Sequence, residues 1–151
     1  MSEPFVLTAG AGETIDGPVG GPLTFKLRGA QSNGTLTVFE NVIPPGEGPP
    51  LHTHANEDEA FYVLEGGFRY RLGEDVYQAP AGSFVFVPRG TPHCFQNVGD
   101  HPARLLVIFT PTGMEQFFEQ FAGVPADADT QEAMVSIGRE VDMEVLGPPL
   151  R

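Results

Sequence analysis

Short apolar runs separated by turn residues occupy most of the first 110 positions of the chain. The runs are rich in β-branched and aromatic residues and lie at positions 23–27, 35–43, 60–64, 68–72, 76–77, 83–87, 93–98 and 104–110. Between them stand turn sequences such as Asn33-Gly34 and Gly66-Gly67, which favour tight connections between strands. Short, nearly evenly spaced strands without a helical period predict an all-β fold with a closed or sandwiched antiparallel sheet.

The pattern changes after position 111, where apolar residues take up helical spacing. The residues at i, i+3, i+4 and i+7 are Met114, Phe117, Phe118 and Phe121. This spacing places them on one face of an amphipathic helix. Thr112 followed by Glu115 has the spacing of a capping box, so we predict Thr112 as the N-cap of this helix.

A second helix is predicted at about 129–139, with Asp129 at its start and Met134 and Ile137 on its buried face. The tail at 145–150 contains Gly147-Pro148-Pro149 and cannot be helical. We assign residues 1–111 to the barrel with its N-terminal strands. Residues 112–151 are predicted to be a helical appendage and tail of the same domain. We expect the two helices to pack on the outer sheet or at a dimer interface, the alternative being that they cap the barrel mouth.

Composition restricts the classes of partner. The chain has 20 acidic and 8 basic residues, which gives a net charge of −12. Binding to nucleic acid or anionic membranes requires a basic face, so neither is expected. The single cysteine, Cys94, cannot form an internal disulfide and fits a reducing compartment. With no visible signal peptide or apolar span, the sequence favours a cytoplasmic protein that binds a small molecule.

Three of the four histidines stand in two frames that are marked by glycines. The frames are Gly46-x5-His52-x-His54-x4-Glu59-x6-Gly66 and Gly82-x5-Pro88-x-Gly90-x2-His93-x3-Asn97, at 46–66 and 82–97. Side chains two apart on a strand point to the same face. His52 therefore shares a strand face with His54. Glu59 likewise shares a face with Phe61 and Val63, and His93 with Phe95 and Asn97. If these faces point inward, three imidazoles and a carboxylate converge on one metal site in a lumen lined by Phe61, Val63 and Phe95.

The two frames resemble the two motifs of the cupins, in particular small bacterial single-domain cupins that are similar to quercetin dioxygenase. The resemblance covers about 46–97 and matches every fixed position. It implies a conical double-stranded β-helix, a jelly-roll-like barrel that is commonly dimeric. It also implies that His52, His54, Glu59 and His93 are metal ligands. Cupins include dioxygenases, isomerases, decarboxylases and non-catalytic binders, so the resemblance does not fix a reaction.

Ligand chemistry restricts the metal to one divalent transition ion per chain. Imidazole and carboxylate suit Fe, Mn and Ni, and also Co, Cu and Zn. Four protein ligands would close a tetrahedral zinc shell. An octahedral Fe, Mn or Ni ion would keep two open positions, so these three metals are favoured for catalysis.

We expect a metal-dependent dioxygenase acting on a small aromatic or enolic substrate, with Glu59 both a ligand and a proton acceptor. Candidate wall residues are the aromatics of the motif strands: Phe61, Phe68, Tyr70, Phe84, Phe86 and Phe95. One alternative is a non-redox isomerase or lyase on a keto or sugar acid, supported if Arg69 and Arg71 face inward. Another is a binding module without turnover. Cys94 follows His93 and should point away from the metal. Asn97 is expected to tie a loop through its amide.

Overall fold

Eleven strands and two α-helices make up the computed structural model, which describes residues 2–151. The strands are β1 (Glu13–Asp16), β2 (Pro22–Leu27), β3 (Thr37–Ile43), β4 (Pro50–His54), β5 (Asp58–Glu65), β6 (Gly67–Leu72), β7 (Asp75–Pro80), β8 (Phe84–Val87), β9 (His93–Asn97), β10 (Ala103–Thr110) and β11 (Met143–Pro149). The helices are α1 (Glu115–Ala122) and α2 (Thr130–Arg139). The predicted all-β class with two short C-terminal helices is confirmed.

Two antiparallel sheets face each other. The first has six strands in the order β1-β2-β3-β10-β5-β8, and the second has five in the order β11-β4-β9-β6-β7. Alternation along each strand decides which side chains enter the space between the sheets. In β3, for example, every second residue from Thr37 to Ile43 is buried. The core therefore lies between the sheets, as expected for a β-barrel with a filled lumen.

The chain after α2 forms a strand that the sequence pattern did not predict. β11 pairs with β4 at the edge of the five-stranded sheet, with register shifts on both sides of Gly147. Proline is tolerated at a sheet edge because the missing amide hydrogen would face away from the ladder. The tail is thus non-helical, as predicted, but it completes the sheet that carries three of the four predicted ligands.

Both helices form where the apolar spacing places them. Asp129 caps α2 by accepting hydrogen bonds from the backbone amides of Gln131 and Glu132, both at 3.1 Å. On α2, Met134 is buried and Ile137 packs half-buried against the core. The predicted N-cap of α1 is wrong: Met114 occupies the N-cap position, without a side-chain cap. The Thr112 hydroxyl donates instead to the Glu115 carboxylate, at 2.9 Å.

Candidate metal centre

The four predicted ligands lie together between the two sheets. His52 and His54 come from β4, Glu59 from β5 and His93 from β9. One donor atom from each falls within 4.8 Å of the others, and all four side chains are buried. Of these strands, β4 and β9 belong to one sheet and β5 to the other. The cluster therefore joins the two sheets through side chains alone.

Strand register explains how the cluster forms. His52 stands directly opposite His93 on the paired strands β4 and β9, so their rings lie with centroids 4.3 Å apart. Glu59 stands opposite Phe109 and Val87 on its two neighbouring strands. Glu59, Phe61 and Val63 are buried while the residues between them are not, which confirms the predicted alternation.

Backbone carbonyls orient two of the imidazoles. The Nδ1 atom of His52 lies 2.7 Å from the carbonyl oxygen of Pro50. The Nδ1 atom of His93 lies 2.9 Å from the carbonyl oxygen of Thr91. Because a carbonyl can only accept, each Nδ1 carries the proton and Nε2 points toward the cluster. This is the arrangement by which proteins fix the tautomer of a metal-binding histidine.

Glu59 is the electrostatic centre of the metal-free cluster. Its Oε1 atom lies 2.9 Å from Nε2 of His93 and 3.3 Å from Nε2 of His54. Burial alone would raise the pKa of Glu59, but the contacts with His54 and His93 outweigh burial and lower it to about 2. Burial opposes a charge on His93, yet Glu59 raises the pKa of that ring. Burial and the two neighbouring imidazoles hold the pKa of His52 well below its usual range.

The donor set fits a transition-metal ion. The Nδ1 atom of His54 is buried and makes no hydrogen bond to residues 2–151, and its Nε2 atom, 3.3 Å from Oε1 of Glu59, lacks hydrogen-bond geometry. A buried polar atom without a partner is costly, so such an atom points to a missing partner. Three imidazole nitrogens and one carboxylate oxygen form a ligand set that suits Fe, Mn, Ni, Co, Cu or Zn. The cluster can therefore bind one metal ion, and its identity is left open by the ligands.

An apolar cavity opens onto this cluster. Its accessible volume is about 60 Å³, so it is narrow. The lining residues are Pro18, Val19, Phe39, Asn41, Pro49, His52, His54, Glu59, Phe61, Phe95, Val107, Phe109, Met114, Phe117, Phe118, Met134 and Met143. Of the three predicted wall residues, Phe61 and Phe95 line the cavity, whereas Val63 is fully buried but stands apart from it.

The other candidate wall residues lie elsewhere. Phe68 and Tyr70 are buried in the core and do not line the cavity. Phe84 and Phe86 are 63% and 53% exposed on the outer face of β8. Aromatic residues of β8 alternate with buried Val85 and Val87, so the valines, not the phenylalanines, face inward. Both faces of β8 are apolar in the sequence, so alternation does not predict which of them points inward.

The helices cover the mouth of the barrel. Met114, Phe117 and Phe118 from the start and body of α1 line the cavity together with Met134 of α2. The Phe118 ring packs 4.9 Å from that of Phe39, on the inner face of β3. The expectation that the helices pack on the outer sheet is therefore wrong, and the capping alternative holds. Their predicted place at a dimer interface stays a prediction.

The arginines that would support an acidic substrate lie outside the cavity. On β6, Phe68 and Tyr70 point inward, so Arg69 and Arg71 point outward. Arg69 donates to Gln96 and to the backbone oxygen of Arg151, and Arg71 donates to the backbone oxygen of Gly73. The condition for the sugar-acid alternative, that Arg69 and Arg71 face inward, is therefore not met.

Two further motif residues have structural roles. The Asn97 amide donates to the backbone oxygens of Ile43 and His101 and accepts from the amide of Gly99, which confirms the predicted loop-tying role. Cys94 is buried and free, and it stands opposite Arg71 on the outward-facing side of β6. Burial raises the pKa of its thiol. Neither residue contributes a donor to the cluster.

The fold, the paired motifs and the ligand cluster agree with one class of protein, the cupins, and residues 39–109 match the cupin domain family. The chain is similar to quercetin 2,3-dioxygenase of Bacillus subtilis, with 30% identity over 82% of this chain and 36% of that protein. It is 31% identical to an uncharacterized protein of Methanocaldococcus jannaschii, over 50% of this chain and 60% of that protein. The chain thus spans about a third to three-fifths of the length of these relatives.

Solved structures support the same fold. A RmlC-like cupin from Shewanella frigidimarina superposes with a TM-score of 0.63 at 22% identity, over 76% of this chain and 96% of that one. At this identity the likeness concerns the fold alone. In the described part of the chain, neither helix has the length and apolar character that a membrane crossing requires.

Proposed function

We propose that the protein is a metal-dependent dioxygenase that acts on a small aromatic or enolic substrate. The observation that carries this proposal is a His/His/Glu/His cluster that opens onto an apolar, partly aromatic cavity. None of the eight basic side chains of the chain lines that cavity. The similarity to a quercetin 2,3-dioxygenase supports the assignment.

His52, His54, Glu59 and His93 would hold the metal. A six-coordinate Fe, Mn or Ni ion is favoured, and when bound it supplies Lewis-acid and redox chemistry beside the substrate. The contacts of Glu59 with both histidines use Oε1, which leaves Oε2 to accept the proton of a substrate hydroxyl. The aromatic walls, including Phe61 and Phe95, would hold a flat substrate, while α1 and α2 keep water from the cavity.

The test is oxygen consumption by protein that has been loaded anaerobically with Fe(II), Mn(II) or Ni(II). Flavonols and catechols are the first substrates to assay with an oxygen electrode. We expect oxygen uptake with at least one metal. His54→Ala should lose both the bound metal and oxygen uptake. His101→Ala should keep both, because the His101 side chain lies exposed beside Asp100. The absence of uptake with every metal would overturn the proposal. Retained metal without turnover would indicate a binding protein instead.

We also propose that the protein forms a homodimer. On the outer face of the six-stranded sheet, the exposed residues Tyr62, Phe84 and Phe86 are neighbours through the β5–β8 pairing. β8 is the last strand of that sheet, and exposed apolar edge strands favour pairing with another chain. In a chain of net charge −12, the uncharged patch formed by Tyr62, Phe84 and Phe86 is where a second copy meets little repulsion. We therefore propose that two copies associate through β8 and the adjacent face of β5.

Sedimentation equilibrium tests this association. Phe86→Lys should convert a dimer into a folded monomer, because the new charge would be buried in the interface. Val76→Lys is the control, since Val76 is about equally exposed, at 50%, but lies on β7 at the edge of the other sheet. A native chain that sediments as a monomer, or a Phe86→Lys dimer, would contradict this surface.

A further inference from the structure

Asn41 is a buried residue in the cavity wall whose amide oxygen, Oδ1, lacks a hydrogen-bond partner. The residue lies on the inner face of β3, is 5% exposed and lines the cavity. Its neighbours in register are Leu105 and Leu23, which are fully buried and apolar. Within residues 2–151 its Oδ1 atom has no partner. Since buried polar atoms are normally paired, this oxygen points to a partner that comes from outside the chain.

Asn41 and the ligand cluster lie at two different levels of the same cavity. Thr37 on β3 stands opposite Phe109, which stands opposite Glu59. Asn41 is four residues further along β3, a distance of roughly 13 Å along the strand at about 3.3 Å per residue. A ligand that reaches both ends must therefore be elongated.

The walls between the two polar ends are apolar. The intermediate level consists of Phe39, Val107 and Phe61, which stand opposite one another on three adjacent strands. The three methionines Met114, Met134 and Met143 complete the enclosure. Thioether side chains adapt to the shape of a bound molecule, which suits a narrow cavity that must accept a flat ring system.

Charge restricts the ligand further. Among the lining residues the only ionisable side chains are His52, His54 and Glu59, all in the cluster. A carboxylate or phosphate at the Asn41 end would lose its hydration without gaining a basic partner. A hydroxyl group, by contrast, can donate to Oδ1.

We propose that Asn41 is a specificity-determining residue that accepts a hydrogen bond from an uncharged, flat ligand whose second hydroxyl faces the His/Glu cluster. The proposal rests on the proposed function for the cluster end of the ligand. The contact with Asn41 needs binding only and no turnover.

The experiment compares 2,6-dihydroxynaphthalene with 2-naphthol, which lacks the second hydroxyl. The chain has no tryptophan, so naphthol fluorescence can be followed without an indole background. Binding is measured with metal-free and with Zn(II)-loaded protein, in which no redox turnover occurs. We expect the diol to bind about fivefold more tightly than 2-naphthol, the effect of one neutral hydrogen bond.

Asn41→Leu should abolish the advantage of the diol and leave 2-naphthol binding within about twofold, because only the second hydroxyl loses its partner. Asn41→Ala is the second variant in case leucine disturbs folding. A diol advantage that persists in both variants would overturn the proposal. An equal loss of affinity for both probes would also overturn it, because that result indicates a structural role of Asn41. Failure of both probes to bind the native protein would overturn it as well.

A third probe tests the charge argument. 6-Hydroxy-2-naphthoate carries a carboxylate in place of the second hydroxyl, and in the metal-free protein, where no ion can bind the carboxylate, we expect it to bind at least about tenfold more weakly than the diol. Equal or tighter binding would contradict an uncharged ligand class. These binding data are independent of oxygen uptake. If the protein binds the diol through Asn41 but has no oxygenase activity, the proposed function alone is refuted. If it has oxygenase activity but its binding of the diol does not depend on Asn41, this inference alone is refuted.

Discussion

Glu57 and Glu59 show how strongly position decides the chemistry of two neighbouring carboxylates. Contacts with two imidazoles keep the pKa of Glu59 at about 2 in the metal-free protein. Burial, reinforced by Asp142 and Glu59 and opposed by Arg89, raises the pKa of Glu57 to about 7. Its Oε1 atom makes no hydrogen bond in the described chain. Glu57 is therefore a group whose ionisation the fold opposes.

Because the fold opposes the ionisation of Glu57, we predict that the free energy of unfolding falls as the pH rises. A folded pKa of about 7 lies above the unfolded value of 4.5, so the contribution of Glu57 is intact below pH 4.5 and is lost as the pH rises through 7. Glu57→Gln removes the ionisation. In the metal-free protein it should raise the free energy of unfolding at pH 8 by up to about 3 kcal/mol and change it little at pH 4.

Urea unfolding at the two pH values measures the effect. Glu74→Gln is the matched control, because Glu74 is exposed in the turn between β6 and β7 and should give no change at either pH. An equal effect of Glu57→Gln at pH 4 and pH 8 would show that ionisation is not the cause.

At the scale of single residues, sequence analysis predicts what alternation and spacing encode. Parity showed which residues share a strand face, and the glycine frames with their resemblance to the cupin motifs indicated that the ligands His52, His54, Glu59 and His93 converge. Asn41 and Glu57 could not be found this way. Their properties depend on the absence of a partner, which is known only once strand register and the packing of the cap are known. An isolated asparagine in an apolar strand was the only signal available for Asn41.

At the scale of elements, α1 is attached to the barrel through Glu115. Its carboxylate accepts hydrogen bonds from the Gly29 amide at 2.5 Å, the Thr37 hydroxyl at 2.8 Å and the Thr112 hydroxyl at 2.9 Å. Burial opposes its ionisation, but these bonds and nearby Arg28 lower the pKa of the carboxyl. One side chain thus ties the cap to β3 and to the loop before it.

Removal of this carboxylate should loosen the cap. Glu115→Ala is expected to lower the free energy of unfolding by about 2–3 kcal/mol, since three buried or half-buried donors lose a charged acceptor. Amide hydrogen exchange in α1 should accelerate. Glu119→Ala is the control, because its ion pair with Arg28 is largely exposed and should be worth no more than about 1 kcal/mol. Equal effects of the two variants would contradict the anchoring role.

Phe118 tests whether the cap closes the cavity. Its ring packs on Phe39 and Phe109, so Phe118→Ala should cost about 3 kcal/mol of stability and should accelerate the entry of 2-naphthol in stopped-flow fluorescence. Phe86→Ala, on the exposed face of β8, should do neither. Unchanged entry in Phe118→Ala would show that ligands enter by another route.

The elements themselves divide into those that periodicity reveals and those that it does not. Strands with one buried face, such as β3 and β5, follow from alternation. β11 does not, because its glycine and prolines oppose a strand locally and only pairing with β4 at a sheet edge stabilises it. The helices follow from their apolar spacing, whereas their position over the barrel mouth depends on Phe39 and Phe109 of the barrel, far away in sequence.

At the scale of the whole molecule, the cluster is a connection between the two sheets. His52, His54 and His93 belong to the five-stranded sheet and Glu59 to the six-stranded sheet. A metal held by all four would therefore stabilise the packing of one sheet on the other. Ligands that bind only the folded state add to its stability by mass action, and the unfolded chain does not hold the four donors together.

Metal addition should consequently shift global unfolding. With free metal at about 1,000 times the dissociation constant, the gain is about 4 kcal/mol, which corresponds to a rise in Tm of roughly 10 °C for a domain of this size. Calorimetry with and without a chelator measures the shift. His93→Ala should abolish it because one cross-sheet ligand pair is lost, while His101→Ala should retain it. A metal that binds without changing Tm would mean that the ion does not hold the sheets together, since ligation from both sheets cannot persist once they separate.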